Sequence, residues 1–349
     1  MSSAQFPRNA AGRVQFSPPL GFTQWPPVER WTAREWECWL TQQGWTLEQC
    51  AQYFDHDRFV YGVGVTPTGE RAGPHNAYEI GVVWLYKPTP KGVTLHATRH
   101  SSVTNTLWGG AAGGTKSMSA RWEAVDLCMF PFREDVRVIF ARRELEELRR
   151  THLDKIAGEA RRINMALGND KAVKVTTQPP VATFELIPGT VAKIIFAHCQ
   201  NLGDEEKYLS EDYDLAVVDE STRMLWKQIV GFQGRLRNDP KLAHLARLIL
   251  TTNPGGPSHG ESVTHFIDKN VSLEDNPLYD PADYQFIQAA LYHNPFYMDR
   301  DGSFTTYEKR LSMYEPERRK QLLEGDWTAV VDKFFTNFDQ SQHVRSAVA

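Results

Sequence analysis

The chain has 349 residues, which at about 150 residues per domain predicts roughly two domains. Hydrophobic residues make up 41% and charged residues 23%, so a packed core is possible and wholesale disorder is excluded. The formal net charge of -4 excludes a uniformly basic nucleic-acid coat but allows a local basic face. The apolar runs of the chain are far shorter than the ~18 residues that span a bilayer. The N-terminus has no apolar region of the kind found in signal peptides. Four scattered cysteines form no C-x-x-C pair, so we expect a protein of a reducing cytoplasm without a membrane span.

Residues 1–84 are rich in tryptophan and proline, and we interpret them as an N-terminal appendage. Five of the ten tryptophans fall between Trp25 and Trp45. Capping-box patterns predict one short helix beginning at Thr32 and another at Thr46. Strand-like segments follow at 59–65 and 80–86. This pattern favours a small packed unit, and a tryptophan-lined binding surface is the alternative.

Strand-like and helix-like segments alternate from residue 85 to 256, which predicts a parallel β-sheet flanked by helices. The predicted strands cover 104–108, 136–141, 193–198, 215–218 and 248–252. The predicted helices cover 116–129, 144–167, 224–235 and 307–324. Residues 257–349 are expected to hold edge loops, mainly over 257–303, and then a helical linker subdomain.

A glycine-rich segment follows the first strand of this region and opens a helix, which is the context of a phosphate-binding loop. Backbone N–H groups of such a loop turn towards an anion, and the helix N-terminus adds partial positive charge. Lys116 would reach the β- and γ-phosphates of ATP, and Ser117 would offer a hydroxyl to Mg²⁺. The segment departs from the pattern G-x-x-x-x-G-K-[ST] at one position, because Thr115 stands where the last glycine is expected. The alternative to a phosphate-binding loop is a flexible glycine-rich turn that happens to precede a lysine. The predicted nucleotide-binding residues are Gly110, Ala111, Ala112, Gly113, Gly114, Thr115, Lys116 and Ser117.

Two further strand ends carry polar residues. Asp219 follows a buried apolar strand and would join Ser117 in holding the Mg²⁺ shell, while Glu220 would activate the attacking water. Solvated acids at a strand end are the alternative. Asn253 follows another apolar strand, in a turn fixed by Pro254, and would sense the γ-phosphate. An ordinary strand-to-loop turn is the alternative there.

The order of these motifs resembles that of the large terminase subunits of tailed bacteriophages, over residues 85–345. The Thr-Asn-Pro-Gly-Gly run followed by a late Leu-Glu-Gly-Asp-Trp is the most specific part of this resemblance. The segments that carry it are Thr89-Pro90-Lys91 with His96, 109–117, 217–220, 251–256 with His259, 266–268, Asn294-Pro295 and 322–327.

The resemblance implies a P-loop NTPase fold of the ASCE/RecA-like class that uses ATP and Mg²⁺. It also implies a motor that drives double-stranded viral DNA into a procapsid in the host cytoplasm. Its implied partners are the portal protein, a small terminase subunit and further copies of the chain in a ring. A nuclease domain would begin near residue 334, and only six residues follow His343, so we expect the motor part without nuclease activity.

Two departures from the family pattern bear on the site. Many members carry an arginine inside the phosphate loop, where this chain has Ala111 and Ala112. We therefore expect Arg142 or Arg143 to supply the charge, and we favour delivery from a neighbouring subunit of a ring. Gly92 stands where the family often has an adenine-reading glutamine, which puts that base contact in doubt.

Two other functions stay open at this point. One is a helicase-like ATPase, which a second motor domain would favour, and the other is a nucleotide-binding regulatory subunit without turnover. The presence of Glu220 speaks against the latter, because a binding switch needs no water-activating acid. Basic clusters could contact DNA or form solvated faces; they lie at 142–143, 149–150, 161–162 and 318–320.

Overall fold

A computed structural model describes residues 6–28, 31, 33–55, 58–59, 62–72, 81–237 and 246–328. Thr32, the predicted helix start, lies outside these ranges, as do parts of the strand-like segments at 59–65 and 80–86. The strands are β1 (Phe54–Asp55), β2 (Arg58–Phe59), β3 (Val63–Val65), β4 (Val83–Tyr86), β5 (Asn105–Gly110), β6 (Arg137–Arg142), β7 (Val173–Thr177), β8 (Pro180–Phe184), β9 (Ala192–His198), β10 (Leu215–Asp219), β11 (Arg247–Thr252) and β12 (Tyr284–Ala289). The helices are α1 (Ala33–Thr41), α2 (Leu47–Tyr53), α3 (Pro90–Ala97), α4 (Lys116–Met129), α5 (Leu145–Leu148), α6 (Asp154–Leu167), α7 (Trp226–Gln233), α8 (His259–Ser262), α9 (Thr305–Leu311) and α10 (Pro316–Glu324).

Eight strands form one sheet in the order β12-β5-β11-β10-β6-β9-β8-β7. All pairs from β12 to β9 are parallel, and β8 and β7 add an antiparallel hairpin at the other end. Strand β10 shows why the sequence folds this way: Val217 packs into the core on one face of the sheet, and Ala216 and Val218 pack into a second core on the other. A strand that is apolar on both sides is stable only where helices cover both faces. The predicted α/β architecture is confirmed.

Four segments differ from the sequence prediction. The segment 257–303 is not only loops, because β12 pairs with β5 as the parallel edge strand. The hairpin of β7 and β8 is an addition to the predicted strands, and β7 is mostly exposed, so it lacks the apolar run of the central strands. The helical segment 307–324 is two helices rather than one, and the second begins at Pro316, the helix start that the sequence indicates, because proline is favoured at the first helical position. The predicted helix 144–167 is interrupted by a π-helical segment, Arg149–Leu153.

The N-terminal tryptophans are packed into a core. Trp25 and Trp39 are 1% and 0% exposed, and they pack with Phe16, Leu291 and Phe304. Burial excludes these two rings from a binding surface, so the packed interpretation is confirmed for them. The capping box at Thr46 is also present: its N–H and hydroxyl both bond Gln49, at 2.9 and 3.1 Å. The division of the chain at residues 84 and 256 stays a prediction.

Within the described ranges, no helix combines the length and apolar character that a membrane crossing requires. The longest helices, α4 and α6, have 14 residues each, and both cover the central sheet or its hairpin. Their role is therefore to close the core.

Candidate functional site

The register of the parallel strands brings the predicted site residues to one edge of the sheet. Asp219 on β10 pairs with Thr251 on β11, and Thr252 pairs with Gly109 on β5. Ala141 on β6 pairs with Val218, so Arg142 follows at the level of Asp219. Because parallel strands end at the same edge, residues far apart in sequence converge there.

The phosphate-binding loop has the backbone that its glycines allow. Gly110 has φ of +134°, and a side chain there would lie 2.1 Å from the carbonyl oxygen of Ala289 on β12. Thr115 has φ of 61°, a left-handed conformation that costs a branched residue about 1–2 kcal/mol. Its hydroxyl lies 3.0 Å from that of Thr89, the N-cap residue of α3, which offsets part of this strain. The loop thus adopts the tight form required before α4, with threonine in the glycine position.

Lys116, the first residue of α4, points back into this loop. Its ammonium donates to the carbonyl oxygen of Ala111 at 2.5 Å and to Asn253 Oδ1 at 3.0 Å. Burial lowers the pKa of Lys116 to about 8, although the nearby carboxylates of Glu220 and Asp219 oppose the shift. Lys116 and Asn253, two predicted site residues from different parts of the chain, are therefore in direct contact.

Asp219 is the most densely bonded carboxylate of the site. Its Oδ1 accepts from Ser117 Oγ at 2.7 Å and from Thr251 Oγ1 at 2.5 Å. Its Oδ2 accepts from Arg142 Nη1 at 2.9 Å and lies 2.8 Å from His152 Nε2. Burial favours protonation, but the bonds from His152 and Thr251 and the charge of Arg142 hold the pKa of Asp219 below its ordinary value. Asp219 is thus an ionised acceptor in direct contact with Ser117.

Glu220 lies beside the loop in a different environment. With Asn253 and the loop it lines a cavity of about 360 Å³. It has φ of 54°, so the chain turns sharply after β10. Burial and the neighbouring Asp219 carboxylate raise the pKa of Glu220. A raised pKa brings a carboxylate nearer to the value at which a general base works best.

The two candidate arginines differ. Arg142 is buried and bonds Asp219, and its guanidinium also forms an ion pair with Glu147 at 3.1 Å. These bonds lie within its own chain and favour a role for Arg142 in its own subunit, while delivery of an arginine from a neighbouring subunit stays a prediction. Arg143 is half-buried, and its Nη1 lies 3.4 Å from the carbonyl oxygen of Arg223.

Several residues around the site were missed by the sequence interpretation. Asn294 donates to the carbonyl oxygen of Gly113 at 2.5 Å, and Tyr297 packs against Gly113 on the outer side of the loop. The Asn294-Pro295 pair is part of the family resemblance, but the sequence alone gives it no role. Thr251 belongs to a predicted strand and to the 251–256 motif, neither of which gives it a role, and His152 lies in a predicted helix whose pattern gives no signal for a polar contact.

The basic clusters are not one continuous surface. Arg142 is buried in the site, and Arg149 forms an ion pair with Glu146 at 3.1 Å. Arg162 donates to the carbonyl oxygen of Leu85 at 2.8 Å, and Lys320 forms an ion pair with Asp326 at 2.6 Å. Of the basic clusters, Arg142 is therefore occupied within the site, and Arg149 and Lys320 each have an acidic partner in the same chain.

The donor set at Asp219 and Ser117 fits Mg²⁺. This ion prefers oxygen ligands and commonly takes one or two from protein, the others coming from water and substrate phosphates. Ser117 Oγ and Asp219 Oδ1 provide such a pair. The described part of the chain has no group of three His, Cys, Asp or Glu residues that could hold a metal, so a metal held by protein ligands alone is not indicated there.

No protein-family model matches the sequence, and no curated relative matches it. Among solved structures, the chain is similar to the large terminase from a thermophilic bacteriophage, with a TM-score of 0.51 and 15% identity over 75% of this chain and 59% of that one. For the same phage's large terminase in complex with ADP, the TM-score is 0.52 at 15% identity, over 75% of this chain and 58% of that one. The chain thus spans less than two thirds of the length of the large terminase it matches. The likeness confirms the predicted resemblance at the level of the fold: the chain has the α/β P-loop NTPase fold of large terminases.

Proposed function

We propose that this chain is the ATP-hydrolysing motor of a viral DNA-packaging terminase, which moves double-stranded DNA into a procapsid through the portal. The observation that carries the proposal is the contact between Ser117 and Asp219, at 2.7 Å, at the start of the helix that Lys116 opens. A hydroxyl and an ionised carboxylate at that place, with a buried lysine beside them, suit the metal-bound phosphates of ATP. The fold shared with large terminases supports the packaging role.

In the proposed reaction the loop N–H groups and Lys116 bind the β- and γ-phosphates. Mg²⁺, when bound near Ser117 and Asp219, would neutralise charge that develops on the phosphates. Glu220 orients a water and takes one of its protons as the water oxygen bonds the γ-phosphorus. The bond to the β,γ-bridging oxygen breaks, and that oxygen keeps the electron pair and leaves on ADP. Arg142 holds Asp219 in place from the side of β6.

The same proposal includes the partners implied by the family resemblance. These are double-stranded DNA, the portal, a small terminase subunit and further copies of the chain in a ring, within the host cytoplasm. The presence of Glu220 in the site cavity supports turnover rather than a passive nucleotide switch.

ATP hydrolysis, measured with and without double-stranded DNA, tests the proposal. We expect DNA-stimulated hydrolysis in the wild type and loss of both hydrolysis and tight nucleotide binding in Lys116→Ala. Glu220→Gln should keep ATP binding but hydrolyse it about 10²–10⁴-fold more slowly, the usual effect of removing a general base. Lys155→Ala, at an exposed position of α6, is the matched control and should behave as wild type.

A strand-displacement assay separates the packaging motor from a helicase-like enzyme. A packaging motor should remove a third strand annealed to a duplex in an ATP-dependent manner and leave the duplex intact. Separation of the duplex strands would favour the helicase-like alternative. Unchanged hydrolysis in Lys116→Ala would overturn the ATPase assignment itself.

A further inference from the structure

The ring of His152 contacts the same carboxylate that Ser117 contacts, from the opposite side. His152 lies in the π-helical segment between α5 and α6, and its side chain is fully buried. Its Nε2 is 2.8 Å from Asp219 Oδ2. The ring also packs on Phe140 of β6, with centroids 4.4 Å apart. Single turns of π-helix occur frequently at functional sites.

The neighbours of the two ring nitrogens determine the tautomer. Nε2 faces Asp219, which is ionised and can only accept, so Nε2 carries a proton. Nδ1 faces Arg121 Nη1 at 3.5 Å, and a guanidinium can only donate, so Nδ1 carries none. A neutral ring with its proton on Nε2 therefore satisfies both contacts. Arg121 is fixed in turn by Glu159, whose carboxylate accepts from it at 2.7 and 2.9 Å.

This arrangement divides the oxygens of Asp219 between two tasks. His152 and Arg142 engage Oδ2, while Ser117 Oγ is bonded to Oδ1. Oδ1, the oxygen bonded by Ser117, is therefore the Asp219 oxygen that lies beside the phosphate-binding loop. A hydrogen bond from a rigid, buried ring fixes the rotation of the carboxylate, as outer partners of metal ligands commonly do.

We propose that His152 is a positioning residue: it orients Asp219 so that Oδ1, paired with Ser117 Oγ, faces the metal that accompanies the nucleotide. The inference rests on the proposed function, because it assumes that Asp219 and Ser117 serve a nucleotide-bound Mg²⁺. It assigns His152 no contact with ATP and no proton transfer.

Two substitutions of His152 separate positioning from packing. In His152→Gln the side-chain amide nitrogen falls near the place of Nε2 and can still donate to Asp219. In His152→Asn it falls near the place of Nδ1 and cannot reach Asp219. Both amides are polar, but asparagine is one methylene shorter and loses more packing than glutamine. Metal-free ADP affinity, measured in the same variants, therefore serves as the control for packing.

The measurements are Mn²⁺ binding to the ADP-loaded protein by electron paramagnetic resonance and ADP binding in the presence of a metal chelator. We expect His152→Asn to weaken Mn²⁺ binding about tenfold, with His152→Gln within about threefold of wild type. Metal-free ADP affinity should be the same in all three proteins. Equal Mn²⁺ affinities, or equal losses in both variants, would overturn the inference, as would a parallel loss of metal-free ADP binding in His152→Asn.

A second measurement uses the wild type and does not depend on the folding of a variant. Nitrogen-15 NMR of the histidine rings should show a buried neutral ring protonated at Nε2 for His152. A ring protonated at Nδ1 would contradict the inference. If the wild-type protein binds no ADP, with or without metal, the proposed function fails. If the wild-type protein binds ADP but the His152 variants do not differ as expected, only the His152 inference fails.

Discussion

Lys116 is a buried cation whose charge is unfavourable in the nucleotide-free protein. Its ammonium is surrounded by carbonyl and amide oxygens of the loop and of Asn253, and burial lowers its pKa to about 8. A cation with a lowered pKa destabilises the folded state at pH values below that pKa. The phosphates of a nucleotide would compensate this charge, so the same lysine that weakens the free protein would strengthen the complex.

We predict that Lys116→Met makes the nucleotide-free protein more stable at pH 7. A shift from 10.5 to about 8 corresponds to about 3 kcal/mol at most, and the lost hydrogen bonds reduce the gain to about 1–2 kcal/mol. Between pH 8 and 10.5 the unfolded chain binds more protons at this site than the folded chain, so wild-type stability rises relative to the variant and the difference shrinks. Urea denaturation at several pH values measures this difference.

The control for this prediction is Lys155→Met, at an exposed position of α6. Its stability should differ from wild type by less than about 0.5 kcal/mol at each pH. A Lys116→Met protein that is less stable than wild type at pH 7, or whose advantage does not change with pH, would contradict the assignment of Lys116 as a destabilising buried charge.

Among the elements of the fold, the N-terminal tryptophan cluster packs against the phosphate-binding loop. Trp39 on α1 is fully buried and packs in one core with Phe304 and with Ala111 of the phosphate-binding loop. Gly302, which precedes Phe304, approaches the carbonyl oxygen of Phe16 so closely that a side chain would clash with it. The N-terminal segment therefore belongs to the packing of the region that holds the loop.

We predict that Trp39→Ala lowers the free energy of unfolding by about 3–5 kcal/mol, the usual cost of deleting a large aromatic ring from a core. Because Ala111 belongs to the same core, ATP affinity should fall together with stability. Chemical denaturation and nucleotide titration measure the two effects. Leu47→Ala, at a residue 65% exposed, is the control and should change neither. Full stability in Trp39→Ala would show that the cluster does not support the folded chain.

The elements that the sequence predicted well are those with strong local patterns. The loop before Lys116 and the acidic end of β10 are each recognisable from a short run of residues, and parallel pairing then brings them together. Strand β12 is not predicted because Tyr284–Ala289 includes two glutamines and lies in a segment expected to form loops, so only its pairing with β5 identifies it. The contact of His152 with Asp219 joins residues 67 positions apart through a π-helical turn, and no local pattern encodes it.

In the molecule as a whole, the arginine that completes the site comes either from the same chain or from a neighbouring copy of it. A cation next to the Asp219 carboxylate is already present, since Arg142 bonds Asp219 and Glu147 of the same chain. If Arg142 moved away, the buried carboxylate of Asp219 and the half-buried carboxylate of Glu147 would lose its positive charge, which is unfavourable. Arg142 should therefore act within its own subunit, whereas Arg143 remains available for a neighbour.

We predict that Arg142→Ala lowers ATP hydrolysis and that mixing does not rescue it. In a mixture with Glu220→Gln, each Arg142 of the Glu220→Gln protein stays with the Asp219 of its own chain. No site then has both Arg142 and the Glu220 carboxylate, so the activity of the mixture equals the sum of the two variants measured separately. The parallel mixture of Arg143→Ala with Glu220→Gln is the internal comparison, because rescue there would identify an arginine that crosses the interface, a group worth about 10³–10⁵ in rate in related phosphoryl transfers. Hydrolysis rates measured over a range of protein concentrations decide the matter. Activity above the sum for Arg142→Ala would mean that Arg142 leaves Asp219 when a ring assembles.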